Sequence, residues 1–188
     1  MNPFDLALFN FIHAPAGRWF LLDWLAIFLA VYVGYILVVL FLVMVFKEKD
    51  RKKRAYAFAW WVLSAIVSRG IIAQVFYFFY HRLRPFEALG VESVFTPGPN
   101  TAFPSGHMAF YATFIIPVFY LNKKWGWIYT AAVAVMGIAR IYGAVHWPTD
   151  IIAGIVIAVA SSYGVKYFLF KETTPTEVKE DNKIKTVE

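Results

Sequence analysis

Five apolar runs dominate the chain: Phe20 to Phe46, Tyr56 to Tyr80, Met108 to Leu121, Trp125 to Tyr142 and Ile151 to Phe170. A helix needs about 20 predominantly apolar residues to cross the hydrocarbon layer. The pattern therefore predicts an all-α, polytopic transmembrane helix bundle of about five spans. The run from Met108 is short and draws its first turn from Ser105-Gly106-His107. Ahead of the spans, Phe4, Leu8, Phe11 and Ile12 recur at helical spacing before the Ala14-Pro15-Ala16-Gly17 break, which predicts a short N-terminal helix lying at the interface. Trp19, Trp24, Trp60, Trp61, Trp125, Trp127 and Trp147 cluster near run ends, where amphipathic rings favour the headgroup layer.

The polar segments between the runs set an orientation. Lys47-Glu48-Lys49-Asp50-Arg51-Lys52-Lys53-Arg54 is the densest basic stretch and Asn122-Lys123-Lys124 the next, and the positive-inside rule assigns both to the cytoplasm. Counting spans from those loops puts the turn near Arg18, the loop from His81 to Phe103 and the connection from Arg140 to Asp150 together on the outer face. Residues 1–170 are expected to form one membrane-embedded domain. The polar stretch 171–188 reads as a flexible cytoplasmic tail.

Composition narrows the classes. Of 188 residues, 60% are hydrophobic and 16% charged, too little polar surface to solvate a water-soluble domain of this length. The net charge of +6 sits in short loops rather than along one soluble face, so the bilayer, not nucleic acid, is the expected partner. No obligate protein partner is evident. Cysteine is absent, which excludes thiolate nucleophiles, disulfides and Cys-ligated metals. No basic residue precedes Arg18, so the first run lacks the leader of a cleavable signal peptide and is expected to be retained.

Ionisable groups at span ends carry the chemistry, because each is costly to bury and must be paired or used. The outer set is His81, Arg82, Arg84, His107, Arg140, His146 and Asp150. Several fixed cations with one nearby carboxylate suit a multiply charged anion such as phosphate, which arginine grips bidentately. Pro104-Ser105-Gly106-His107 enters a span, so Ser105, Gly106 and the first free N–H groups can cradle phosphoryl oxygens at a helix N-terminus. His146 and Asp150 are one helical turn apart. If Pro148 begins the fifth span, the carboxylate reaches back to one imidazole nitrogen, fixes the tautomer and leaves the other nitrogen free to attack phosphorus. A phosphohistidine would form, His107 would give the leaving oxygen its proton and later take one from water, and Arg84 and Arg140 would meet the charge developing on the equatorial oxygens. This chemistry requires no metal and no cofactor.

Arg84-Pro85, Pro104-Ser105-Gly106-His107, and Arg140 followed by His146 and Asp150 resemble the three-part signature of the type 2 phosphatidic acid phosphatase family, the membrane lipid phosphate phosphatases. The resemblance spans about Tyr77 to Asp150. It implies His146 as nucleophile, His107 as acid and base, Asp150 as partner carboxylate, and Arg84, Ser105, Gly106 and Arg140 as phosphate binders. Two positions depart from the pattern: Tyr77 stands where the family usually has a lysine, and Ala139 where it usually has serine. Arg82 is the nearest substitute for the missing cation, and Arg82-Leu83-Arg84-Pro85-Phe86 is similar to the version found among bacterial undecaprenyl diphosphate phosphatases of the family. By that likeness the expected reaction is hydrolysis of undecaprenyl diphosphate to the monophosphate at the outer face of a bacterial cytoplasmic membrane. Phosphatidylglycerol phosphate, phosphatidic acid or a lipid A phosphate would fit the same chemistry. A non-enzymatic anion channel or transporter is the alternative of another class, and a complete nucleophile, acid and carboxylate set argues against it.

Other polar residues read more plainly. His13 is expected at the interface, His81 is balanced between surface and site, and Glu87 and Glu92 belong to the loop surface. Gly137, Gly143 and Gly154 are expected to permit close helix packing. Arg69, inside the second run, is expected to face the bundle in a structural ion pair.

Overall fold

Seven helices form among the described residues of the computed structural model, most of them opening on a capping side chain or a proline. It describes residues 2–96 and 101–169, so the expected tail at 171–188 lies outside the described residues. The helices are α1 (Pro3–His13), α2 (Phe20–Lys47), α3 (Arg51–Phe79), α4 (Pro85–Leu89), α5 (Gly106–Leu121), α6 (Lys123–Tyr142) and α7 (Pro148–Leu169). No strand occurs among the described residues. Asn2 caps α1, accepting from Phe4 N at 3.1 Å. Asp50 accepts from the N–H groups of Lys52 and Lys53 at the start of α3, and Asn122 accepts from Trp125 at the start of α6. Each such cap contributes about 1 kcal/mol, and α4 and α7 instead open on proline, whose missing N–H is not needed there.

Helices α2, α3 and α7 are long and apolar enough to cross a membrane, and α5 is apolar but shorter. The chain is a multi-pass membrane protein. Large side chains left open on the outside, such as Leu21, Phe46, Phe78 and Phe168, are what a bilayer would cover. Inside, α7 packs on α3 and α5, and α6 packs on α2 and α5. Trp61 stacks on Phe114 with ring centroids 4.7 Å apart, and Phe41 meets the same ring at 5.1 Å. Buried polar groups are tied across helices: Tyr129 Oη donates to Leu37 O (2.7 Å), Trp60 Nε1 to Ser162 O (2.7 Å) and Ser68 Oγ to Ala109 O (2.6 Å). The close packing expected at Gly154 is present, since a Cβ there would lie 2.7 Å from both Ser105 O and Met108 Cβ.

Helix α1 differs from its sequence reading. The face against α6 and α7 carries Asp5 and Phe9, each 1% exposed, whereas Phe4 and Phe11 of the expected apolar stripe point outward. Leu8 and Ile12 of the same stripe are half-buried, Ile12 against the core, so the stripe straddles the boundary of the bundle and the adjoining face buries a carboxylate that has partners. His13 closes the helix, its Nδ1 2.7 Å from Tyr142 O, and takes no part in the main polar cavity.

Candidate active site

Three segments remote in sequence are stitched together by backbone hydrogen bonds. Phe86 N donates to Ala144 O at 3.1 Å, Ala102 N to Arg82 O at 3.0 Å, and Ser105 N to Asp150 O at 3.0 Å. Trp147, 1% exposed, locks the junction: its indole donates to Leu83 O (3.0 Å) and its backbone N–H to Asp150 Oδ2 (2.7 Å). Glu87 holds the turn before α4 by accepting from Arg84 N at 2.9 Å.

The convergence forms an open cavity of about 430 Å³. Arg84, Gly106, His107, Arg140 and His146, all predicted from sequence, line it. Both imidazoles therefore face one space. Arg84 and Arg140 are buried, at 5% and 6% exposure, and the Phe95 ring centroid lies 5.8 Å from the Arg140 guanidinium carbon. The first N–H groups of α5 have no partner within the helix and carry its positive dipole end.

Three expected site residues sit differently from their sequence reading. The His146 tautomer is set by a backbone carbonyl, not by Asp150: Nδ1 lies 2.9 Å from Ala102 O and 3.8 Å from Asp150 Oδ2. A carbonyl only accepts, so Nδ1 carries the proton and Nε2 keeps the lone pair. Burial first, then the fields of Arg140 and Arg84, hold His146 well below the usual histidine range, which keeps the ring neutral. Arg82 does not line the cavity. Its two amino groups bind Asp150 Oδ1 and Asp5 Oδ2, each at 2.6 Å, and its guanidinium lies over Trp147. Two carboxylates within reach hold it there more firmly than an intermittent ligand could. Ser105 likewise stays outside the cavity lining; its N–H is spent on Asp150 O, and its Oγ is buried without a hydrogen-bond partner.

Sequence reasoning missed three contributors. Arg69 lines the cavity and makes no ion pair among the described residues; its guanidinium carbon lies 5.3 Å from the Tyr77 ring centroid. Tyr77 lines it too, its hydroxyl donating to Pro104 O at 3.0 Å. Asp5 supports the site from outside, accepting from Thr149 N (2.9 Å), Thr149 Oγ1 (2.7 Å) and Arg82. A signal for Arg69 was present: the five apolar runs contain a single acidic residue, Asp23, so the expected structural ion pair had almost no candidate partner.

A recessed cavity with several guanidinium groups and two imidazoles, set in a bundle of membrane helices, defines a phosphatase acting at the membrane. The chain belongs to the PAP2 superfamily, whose family model matches residues 58–174, and is a lipid phosphate phosphatase. It is 28% identical over 159 residues to a bacitracin transport permease protein, BcrC, of Bacillus licheniformis, covering 84% of this chain and 77% of that protein. It is 26% identical over 167 residues to the undecaprenyl-diphosphatase BcrC of Bacillus subtilis, covering 88% and 83%. An undecaprenyl-diphosphatase of Sulfolobus acidocaldarius is 32% identical over 95 residues, half of this chain and 46% of that one. Among solved structures, Aquifex aeolicus LpxE superposes with a TM-score of 0.70 at 23% identity, covering 87% of this chain and 95% of that one. The PAP2 type phosphatidylglycerolphosphate phosphatase of Bacillus subtilis superposes with a TM-score of 0.65 at 19% identity, covering 90% and 86%. At these identities the two structures bear on the fold alone.

Proposed function

We propose that this protein hydrolyses undecaprenyl diphosphate to the monophosphate through a phosphohistidine at His146, at the outer face of a bacterial cytoplasmic membrane. The observation that carries the chemistry is the single cavity shared by His107, His146, Arg84 and Arg140, with the His146 tautomer fixed by Ala102 O. The names of two relatives supply the lipid. Nε2 of His146 attacks the terminal phosphorus while the bond to the bridging oxygen breaks and the lipid monophosphate leaves with a proton from His107. Water then attacks the phosphohistidine, His107 accepts its proton, and inorganic phosphate departs. Arg84 and Arg140 neutralise the equatorial oxygens throughout. Asp150 stabilises the charged ring from 3.8 Å through space and fixes the Trp147 backbone beside it. One relative is named as a permease, but two imidazoles meeting in an anion cavity support bond cleavage rather than passage.

The test is phosphate release by purified protein in detergent from undecaprenyl diphosphate, phosphatidylglycerol phosphate, phosphatidic acid and a lipid A phosphate, with chelator present. The expected result is preference for the diphosphate, unchanged by chelation and abolished in His146→Ala. No preference for the polyprenyl lipid would overturn the substrate, loss on chelation the metal-free step, and an active His146→Ala the mechanism. Orientation is tested separately. Because the chain has no cysteine, single cysteines at Lys49 and Glu92 can be labelled in intact cells, with only the second expected to react with an impermeant maleimide.

A further inference from the structure

Arg69 lies ten residues before the end of α3 at Phe79, about 15 Å along the axis at 1.5 Å per residue. A guanidinium at such depth is costly unless it is paired or used. It has no ion-pair partner among the described residues, and its neighbour is the Tyr77 ring. Asp23, the lone acid within the apolar runs, accepts instead from Tyr142 Oη at 2.5 Å and Gly17 N at 3.1 Å.

Local structure aims Arg69 at the site. The π-helical segment Ile66–Ile72 interrupts α3 around it, a widening of the turn that often marks functional positions. Ser68, next to it, is pinned to α5 through Ala109 O. Gly106 leaves the required space, since a Cβ there would lie 2.9 Å from Arg69 Nε and 2.6 Å from Tyr77 Oη. The guanidinium thus sits against the start of α5, beside His107. Arg140 and Arg84 act on both imidazoles, and Arg69 joins them at His107.

In an in-line displacement the nucleophile and the leaving oxygen lie on opposite sides of phosphorus. On the reading above, His146 marks the attacking side and His107 the leaving side. We propose that Arg69 binds the phosphate that stays with the lipid when a diphosphate is cleaved, and so sets a preference for diphosphates over monophosphates. As the bridging bond breaks, its electron pair remains on the oxygen of the lipid monophosphate, where His107 supplies the proton and Arg69 meets the charge. This inference rests on the proposed diphosphatase activity.

The experiment uses the full chain in detergent with farnesyl diphosphate as substrate, and inorganic pyrophosphate and orthophosphate as inhibitors. For Arg69→Leu, kcat/KM is expected to fall about tenfold to a hundredfold, the worth of one charge-assisted hydrogen bond. The inhibition constant of pyrophosphate should rise in parallel, with that of orthophosphate changing less than about threefold. Arg69→Lys keeps the charge but not the bidentate fork, so smaller changes of the same kind are expected. It decides the matter if the leucine variant does not survive purification. Unchanged kinetics, or equal rises for both inhibitors, would overturn the assignment. A wild-type protein inactive on any prenyl diphosphate would bring down the proposed function and this inference together, whereas active wild type with indifferent variants removes only the role of Arg69.

Discussion

Asp5 is the most exposed point of failure in the support of the site, although it touches no cavity residue. Its carboxylate is 1% exposed and accepts three hydrogen bonds, two from Thr149 and one from Arg82 at 2.6 Å. Asp5→Ala leaves a buried N–H, a hydroxyl and half of a guanidinium without an acceptor. Removing one partner of a buried ion pair costs about 3–5 kcal/mol. Arg82 keeps Asp150 and its side chain is 18% exposed, so the lower end, about 3 kcal/mol, applies here. The loss also reaches catalysis: with one anchor gone, Arg82 is free to shift Asp150, which holds Trp147 and with it the loop bearing His146. A displacement of about 1 Å at a reacting group can cost on the order of a hundredfold in rate. Thermal unfolding in detergent and phosphate release, measured for Asp5→Ala, Arg82→Ala and the double variant, should give a coupling energy of about 2 kcal/mol. Asp5→Asn retains an acceptor for Thr149 N and should fall between wild type and alanine. Coupling below about 0.5 kcal/mol, or wild-type activity in Asp5→Ala, would refute the reasoning.

Two further outcomes follow from the geometry. Because burial and the fields of Arg140 and Arg84 hold His146 low, the acid limb of kcat/KM that reports its protonation should lie well below pH 6.5; Arg140→Gln removes a field that opposes protonation, so the limb should move to higher pH, and a static or downward shift in the pH profile contradicts the assignment. Gly154→Ala forces a methyl to within 2.7 Å of Ser105 O, a backbone atom that cannot swing aside, and overpacking of this kind costs about 1–3 kcal/mol, readable as a lower midpoint in detergent melts; an unchanged midpoint would mean that α5 and α7 can separate freely.

What the sequence made legible follows from how each interaction is encoded. The long helices were readable because apolar run length alone determines them, and their observed bounds at Phe20–Lys47 and Lys123–Tyr142 lie within a few residues of the expected runs. Arg84, His107, Arg140 and His146 could be grouped because each stands near the end of an apolar run, and all four line the cavity. The differences concern partners rather than places. Asp150 sits one turn from His146, but the i,i+4 spacing could not reveal that Ala102 O would approach Nδ1 more closely. The π-helical turn that aims Arg69 leaves no periodic trace, and Asp5 lies at the edge of the apolar stripe of α1, where spacing gives no sign of a buried carboxylate.

The distribution of counter-charge around the cavity gives these corrections a common cause. Asp5 and Asp150, the buried carboxylates nearest the site, are both engaged by Arg82, which itself stays outside the cavity. Arg69 and Arg140, which do line it, have the rings of Tyr77 and Phe95 as their cation neighbours instead of carboxylates. A carboxylate paired with either of them would have to be displaced by every incoming phosphate, at the expense of binding; an aromatic face steadies a guanidinium while leaving its N–H donors available. On the proposed function, Arg82 serves anion binding indirectly, by holding two negative charges outside the cavity that Arg69, Arg84 and Arg140 line. The same division accounts for α1: without Asp5, Arg82 would be balanced by Asp150 alone, and the carboxylate that steadies the His146 loop would carry the full pull of a partly exposed cation.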